Sequence, residues 1–114
     1  MTAFLIFAFA VVTPLPDPLA AGWLGEPVCE KLREDEHLRV LRCTFPPGVG
    51  HERHHHARHF GYALSGGRVR IKDARGVRDV DIMAGSSFAS DGIEWHEIAN
   101  IGPTVIQYLI VEPK

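Results

Sequence analysis

Histidine is the residue type whose clustering points to chemistry in this sequence. Five of the seven histidines lie between positions 51 and 59, namely His51, His54, His55, His56 and His59. Neutral imidazole is a good ligand for borderline divalent metals. The cluster therefore predicts a site for a divalent transition metal, and leaves its identity open among Fe, Mn, Ni, Cu and Zn.

The spacing of the histidines selects four as metal ligands. His54 and His56 are two residues apart, so on a β-strand both rings leave from the same face. Two further residues separate this pair from His59, which allows the chain to turn and bring a third ring to the same point. His96 can supply a fourth nitrogen if late strands pack against early ones, as in a jelly roll. The predicted ligands are His54, His56, His59 and His96.

The remaining histidines are predicted to be solvent-exposed. His55 points to the opposite face from its two neighbours, and His51 precedes the predicted strand. His37 lies in a polar turn. A register that uses His51 or His55 as a ligand stays open as an alternative.

Length and charge limit what such a site can serve. The chain has 114 residues, of which 46% are hydrophobic and 23% charged, as in a single globular domain. Twelve Lys and Arg against fourteen Asp and Glu give a formal charge of −2. This balance provides no basic field for a phosphate backbone, so we expect a small-molecule ligand and no nucleic acid.

Short alternating segments, separated by Gly, Pro and Asp, predict an all-β fold with antiparallel strands. No stretch after residue 25 keeps a helical period. The predicted strands are 28–32, 38–45, 60–65, 68–72, 77–83, 97–99 and 105–111. Such strands form a small barrel or a sandwich. The histidine placement favours a jelly roll over an immunoglobulin-like sandwich.

Alternation around His59 predicts the walls of the site. If His59 points inward, Gly61 and Ala63 do so too and leave room for a ligand. The large apolar residues Phe60, Tyr62 and Leu64 then lie on the outer face. We expect a second subunit of a homodimer to cover this face, with the N-terminal strand of the same chain as the alternative.

The predicted core consists of apolar residues on the later strands: Val69, Ile71, Val80, Ile82, Phe88 and Ile98.

The two cysteines lie on consecutive predicted strands. If these strands form a hairpin centred on Glu36, Cys29 and Cys43 are directly opposite each other, and a cross-strand disulfide is geometrically possible. A one-residue change in the turn would remove this pairing. Two buried free thiols are the alternative, which stays open.

Residues 1–21 are predicted to be a signal peptide. The apolar run 3–12 is shorter than the roughly 20 residues of a membrane-spanning helix, and the small residues 19–21 fit a cleavage point. This prediction implies export to the periplasm or secretion, without a stable membrane span. The alternative is an N-terminal apolar strand of a cytoplasmic protein.

Two groups of residues resemble the two motifs of the cupin superfamily. The first group is Gly48, His54, His56 and Gly66, and the second is Gly85, Asp91, His96 and Asn100. The resemblance spans residues 38–111. It implies a cupin-type jelly-roll β-barrel, the double-stranded β-helix, formed by one domain over residues 22–114.

The sequence departs from the cupin pattern at three positions. His59 stands where cupins usually place a glutamate, so the site resembles the all-histidine variants. Asp91 and Ile93 replace the usual proline and glycine of the second motif.

The resemblance implies two classes of function. Three-histidine iron sites in cupins are associated with dioxygenases that act on diketones or thiols, which makes a metal-dependent dioxygenase the leading enzymatic hypothesis. A lyase or isomerase acting on a small sugar or hydroxy acid is a second one. The alternative is a non-catalytic metal- or ligand-binding module of the cell envelope, because one fold hosts many functions. No catalytic acid or base is assigned.

Overall fold

The structure of the chain, a computed structural model, describes residues 14–114. These residues form β-strands and no helix. The strands are β1 (Gly22–Trp23), β2 (Glu26–Pro27), β3 (Cys29–Glu34), β4 (Leu38–Phe45), β5 (Gly50–His56), β6 (His59–Ser65), β7 (Gly67–Asp73), β8 (Gly76–Ile82), β9 (Ser87–Ser90), β10 (Ile93–Asn100) and β11 (Ile106–Pro113).

Two antiparallel sheets enclose the core. One contains four strands in the order β5-β10-β7-β8, and the other contains five in the order β3-β4-β11-β6-β9. Over the described residues, hydrogen bonds do not join the two sheets into one closed barrel. Strands that neighbour each other in a sheet are often far apart in sequence, which is the jelly-roll arrangement that the histidine placement predicted.

Side-chain alternation determines which residues face the interior. His59, Gly61 and Ala63 on β6 are buried, whereas the residues between them are exposed. The outward side chains of Phe60, Tyr62 and Leu64 are 45%, 40% and 42% exposed. The structure therefore confirms the predicted division of this strand into an inner and an outer face.

The core lies between the sheets. It contains fully buried side chains from both of them, including Leu41, Phe45 and Ile110 from the five-stranded sheet and Val69 from the four-stranded one. Ile98 is also buried, and the other predicted core residues of β7 and β8 are partly buried against this cluster.

The prediction that Phe88 belongs to the core is wrong, because its side chain is 49% exposed. Phe88 lies on β9, which within residues 14–114 is an edge strand paired with β6 alone. Its ring occupies the space that a Cβ atom on Gly61, its partner across the strands, would need. The ring therefore lies beside the core and contacts His59 edge-on, with 5.8 Å between ring centroids.

The pairing of strands explains two further differences from the predicted elements. The predicted strand 97–99 lies in the C-terminal half of the longer β10, which is paired on both sides, to β5 and β7. Strand β9 was not predicted, because Ser87–Ser90 has little apolar alternation and is ordered by its hydrogen bonds to β6.

Residues 14–21 pack against the domain. The Pro16 carbonyl accepts a hydrogen bond from the backbone N–H of His55, at 3.1 Å. The carboxylate of Asp17 forms a 2.8 Å ion pair with Arg39. The apolar run on which the signal-peptide prediction depends lies outside the described residues. Within residues 14–114, no helix is long and apolar enough to cross a membrane.

A disulfide bond joins Cys29 and Cys43, as one of the two alternatives predicted. The two residues are direct partners in the β3–β4 pairing. Both side chains are buried in the core. Of the two alternatives, the structure therefore shows the disulfide rather than the free thiols.

We expect the oxidised chain to have a mass lower by two hydrogen atoms and no thiol that reacts with an alkylating reagent. The double variant Cys29→Ser/Cys43→Ser should lose about 3 kcal/mol of unfolding free energy, measured by urea denaturation. The reason is that the bond reduces the conformational entropy of the unfolded chain by closing a loop between residues 14 apart in sequence. Reduced wild-type chain is the matched control and should unfold like the variant. Two reactive thiols in chain recovered from an oxidising compartment would contradict the bond.

Candidate metal centre

Two paired strands bring three histidines together. His54 and His56 lie on β5, and His96 lies on the adjacent β10, directly opposite His54 in the antiparallel pairing. All three side chains are buried. Residues that are distant in sequence therefore point into one interior space, as the cupin resemblance implied.

The Nε2 atoms of these histidines form a triangle. The distances between His54 and His56, between His56 and His96, and between His96 and His54 are each 2.9 Å. The Nδ1–H of His54 donates a hydrogen bond to the carbonyl oxygen of Glu52 at 2.6 Å, which leaves its Nε2 as a bare acceptor. A planar N–H cannot point at two nitrogens at once, so the three contacts cannot all be satisfied as hydrogen bonds.

A divalent cation fits this donor set. Nitrogens at cis positions around one ion, each roughly 2.1 Å from it, are about 3 Å apart, and the observed sides of the triangle have that length. An ion would also satisfy the lone pairs that otherwise repel one another. Three imidazoles on one side of an ion leave its other positions open.

Burial keeps the three rings neutral. It is the main cause that lowers the pKa of His54 and of His56 below the ordinary value, and that lowers the pKa of His96 to about 3. The proximity of the other imidazoles adds to the effect at His56 and His96. A metal ligand must be deprotonated, so these rings offer free lone pairs at neutral pH.

His59 lies beside the triangle. Its ring stacks on that of His56, with centroids 4.5 Å apart, and its Nδ1–H donates to the carbonyl oxygen of Ala57 at 2.8 Å. The group whose nitrogens lie within 4.8 Å of one another contains His54, His56 and His96. The structure thus gathers three of the four predicted ligands and leaves the role of His59 as a ligand a prediction.

The prediction that His51 is solvent-exposed is wrong, because its side chain is 0% exposed. A β-bulge explains the difference: His96 pairs with His54 but Ile98 pairs with His51, so one extra residue of β5 lies between the pairs and reverses the alternation. The His51 ring therefore points inward and stacks on His54, with centroids 3.7 Å apart. His37 is exposed, as predicted, and His55 is half-buried.

His51 connects the N-terminal segment to the metal ligands. Its Nε2–H donates to the carbonyl oxygen of Pro18 at 2.9 Å. Pro18 is itself fully buried. The ring of His54 is thus held by the Glu52 carbonyl at its edge and by His51 on its face.

A cavity of about 590 Å³ adjoins the triangle. His56, His59 and His96 line it, together with apolar side chains from both sheets. Sequence reasoning missed Trp95, which also lines the cavity and lies under the guanidinium of Arg53 at 4.0 Å from the ring centroid. Its position next to His96 in the sequence was the one available signal.

Comparisons with known proteins support the fold. No protein-family model and no curated protein matches the chain. Among solved structures, a cupin domain from Bordetella pertussis Tohama I is similar, with 18% identity, a TM-score of 0.72 and coverage of 90% of this chain and 99% of that one.

Two other similar structures have names that describe an activity. A predicted oxalate decarboxylase from Thermotoga maritima is 26% identical, with a TM-score of 0.56 and coverage of 75% of this chain and 79% of that one. A polyketide cyclase from Streptomyces resistomycificus is 17% identical, with a TM-score of 0.62 and coverage of 93% and 80%. At this level of identity the similarity establishes the architecture: the chain is a small domain with the cupin fold, the double-stranded β-helix.

Proposed function

We propose that the chain binds one divalent transition metal through His54, His56 and His96 and uses it to transform a small organic substrate. The observation that carries this proposal is the triangle of buried, neutral Nε2 atoms 2.9 Å apart. In our proposal the reaction is that of a metal-dependent dioxygenase. His59 is proposed as a fourth ligand, whose approach would occupy one of the open positions.

The residues around the triangle support substrate chemistry. When bound, a redox-active metal can supply a site for dioxygen as well as for a substrate oxygen. The small side chain of Ala63 leaves space on the inner face of β6, whereas the ring of Phe88 fills the space beside Gly61, and the adjoining cavity admits a molecule from solvent. The three imidazoles would hold the ion, and the apolar walls would exclude water from the substrate.

The second candidate is a non-catalytic module that binds metal or a small ligand. What favours it is the state of a carboxylate beside the ligands: Asp73, opposite His96 on β7, is in an ion pair with Arg78 at 3.0 Å, and its pKa is lowered by a backbone hydrogen bond from Arg75 and by Arg78. It is thus ionised and engaged, which suits it poorly to proton transfer. A lyase or isomerase needs such a group and is less supported.

We also propose export of the chain to the periplasm or its secretion. The apolar run at 3–12 supports this location. Because Pro16, Asp17 and Pro18 contact His55, Arg39 and His51, we propose that a leader is cleaved before Pro16 rather than at the predicted point, 19–21. The disulfide supports export too, because such bonds persist in oxidising compartments. The mass of the chain, measured in a cell-envelope fraction and in cytoplasm, tests this location. We expect the chain in the cell-envelope fraction, with a mass lower by the two hydrogen atoms of the disulfide, and recovery of reduced chain from cytoplasm alone would contradict export.

The variants His56→Ala and His96→Ala should each lose stoichiometric metal, because two nitrogens hold an ion far more weakly than three. The measurement is metal analysis of protein purified without a histidine tag. His37→Ala, which removes an exposed imidazole, is the matched control and should retain the metal. A His96→Ala variant that keeps one ion per chain would refute the site.

Oxygen uptake by the iron-loaded chain separates the two candidates. A substrate-dependent uptake that His96→Ala abolishes supports the dioxygenase. A native site that holds only zinc, with no uptake, supports the binding module.

The metal-free chain should become less stable as the pH falls from about 6.5. The pKa values of His51 and His96 are lowered to about 3 by burial, so the unfolded chain binds more protons between pH 6.5 and 3. Stability is therefore greatest above pH 6.5 and declines below it. We expect the melting temperature to fall by at least ~5 °C from pH 7 to pH 5. His96→Gln should flatten this decline, and a constant melting temperature would contradict it.

A homodimer through the outer face of β6 is the proposed assembly. Phe60, Tyr62 and Leu64 are 40–45% exposed side by side, an apolar surface that association would cover. Light scattering after size exclusion should give twice the chain mass, and Phe60→Lys should convert the dimer to a monomer. Val77→Lys, which changes an exposed residue of the other sheet, should not. A wild-type monomer would refute the assembly.

A further inference from the structure

We infer that the cavity takes a largely apolar, aromatic-type molecule that presents an oxygen donor to the metal at one end. This inference rests on the proposed metal site and specifies its ligand class. The alternatives are a small polar acid or a polyol, such as a sugar or a hydroxy acid.

The polarity of the cavity changes along its axis. On β7 the lining residues run from Asp73 through Ile71 to Val69, and on β10 they run from His96 to Ile98. The pairing of the two strands places Asp73 opposite His96 and Ile71 opposite Ile98. The polar ends of both strands therefore coincide.

The opposite sheet shows the same gradient. On β6 the lining residues run from His59 to Ala63. Ala63 pairs with Tyr108 of the neighbouring strand, which also lines the cavity. The metal ligands and Asp73 thus lie at one end, and most of the remaining lining is apolar, with Asp81, opposite Arg68 of β7, as a charged residue of the other end.

The cavity carries no excess of positive charge, because three carboxylates line it, those of Asp73, Asp81 and Glu94, against two guanidinium groups. Asp73 accepts from Arg78 at 3.0 Å and lies 4.0 Å from Arg75. Both lining arginines, Arg75 and Arg78, thus lie near the same carboxylate. An anionic group on the body of the ligand would therefore compete with Asp73 for them. A polyol would leave most of its hydroxyl groups against apolar walls, at a cost for each unpaired group.

The size of the cavity also argues for a larger ligand. A volume of about 590 Å³ is in the range of pockets that hold drug-sized molecules. A two-carbon diacid would fill a small part of it. The aromatic side chains of Phe88, Trp95 and Tyr108 line the space and are suited to stack against a flat ring.

Tyr108 places a polar group towards the less polar end of the cavity. The hydroxyl of Tyr108 has no hydrogen-bond partner among residues 14–114, and burial raises the pKa of this group, so it stays a neutral donor. It can donate a hydrogen bond to one carbonyl or hydroxyl oxygen on the body of the ligand. Asp81, Ser86 and Ser87 also line the cavity, so the polar groups outside the metal end are few, which is consistent with an aromatic molecule that carries few oxygens.

A series of hydroxamic acids tests the inference, because they present the same metal-binding group on bodies of increasing size. The probes are acetohydroxamic, benzohydroxamic and 2-naphthohydroxamic acid, titrated calorimetrically into the nickel-loaded chain. We expect the affinity to rise at least about tenfold over the series, since each ring buries more apolar area. Their affinities for free nickel ion in the same buffer give the baseline.

Two variants of β8 locate the effect. Val80 lines the cavity, whereas Val77 on the same strand is 60% exposed and does not. Val80→Phe should weaken naphthohydroxamate at least about tenfold and leave acetohydroxamate and nickel binding within about twofold. Val77→Phe, the matched control, should change none of the three.

The outcomes separate the inference from the proposed function. A chain that binds no nickel refutes the metal site. A chain that binds nickel but shows a flat or falling affinity series refutes the ligand class, and this result does not depend on whether Val80→Phe folds. Equal naphthohydroxamate binding by folded Val80→Phe and wild type also overturns it.

Discussion

Three neutral imidazole nitrogens that face one another at 2.9 Å are the constraint on which the rest of this structure depends. Lone pairs so close repel unless a proton or a cation lies among them, and burial opposes the proton because it lowers the pKa of each ring. The fold holds the rings there through strand pairing: β5 carries two of them, and β10 is locked to β5 on one side and to β7 on the other. The arrangement is costly without an ion and well prepared for one.

The surroundings of the triangle support it from two directions. On one side, His54 is held by the Glu52 carbonyl and by the stacked ring of His51, which in turn donates to Pro18. The N-terminal segment thus contributes to the rigidity of the site. On the other side, the cavity begins at His56 and His96 and becomes apolar along β7 and β10. A rigid polar end and an apolar body together suit a ligand that is anchored at the metal and selected by its hydrocarbon part.

Much of the site was accessible from residue spacing. The two-residue separation of His54 and His56 predicted their common face, and alternation from His59 predicted the inner and outer faces of β6. The hairpin argument gave the pairing of Cys29 with Cys43 as one of two alternatives, and the bulge between Lys31 and Arg33 lies beyond that pair, towards the turn. The misplaced residues were His51 and Phe88. The position of His51 depends on a bulge in β5, and that of Phe88 depends on the absence of a side chain at Gly61, whose place its ring occupies. Neither feature can be detected from the alternation of residue types.

By itself, the sequence determined the class of fold and the donor chemistry, because alternation and residue type are local properties of a strand. The order of the residues alone shows the alternation of the strands, the cluster of histidines in β5 and the separate His96. Only the tertiary structure decided which imidazoles converge, because convergence depends on strand order and on single-residue bulges that couple positions far apart in the chain. It also decided the depth and polarity of the cavity, since these arise where two sheets meet and belong to neither alone.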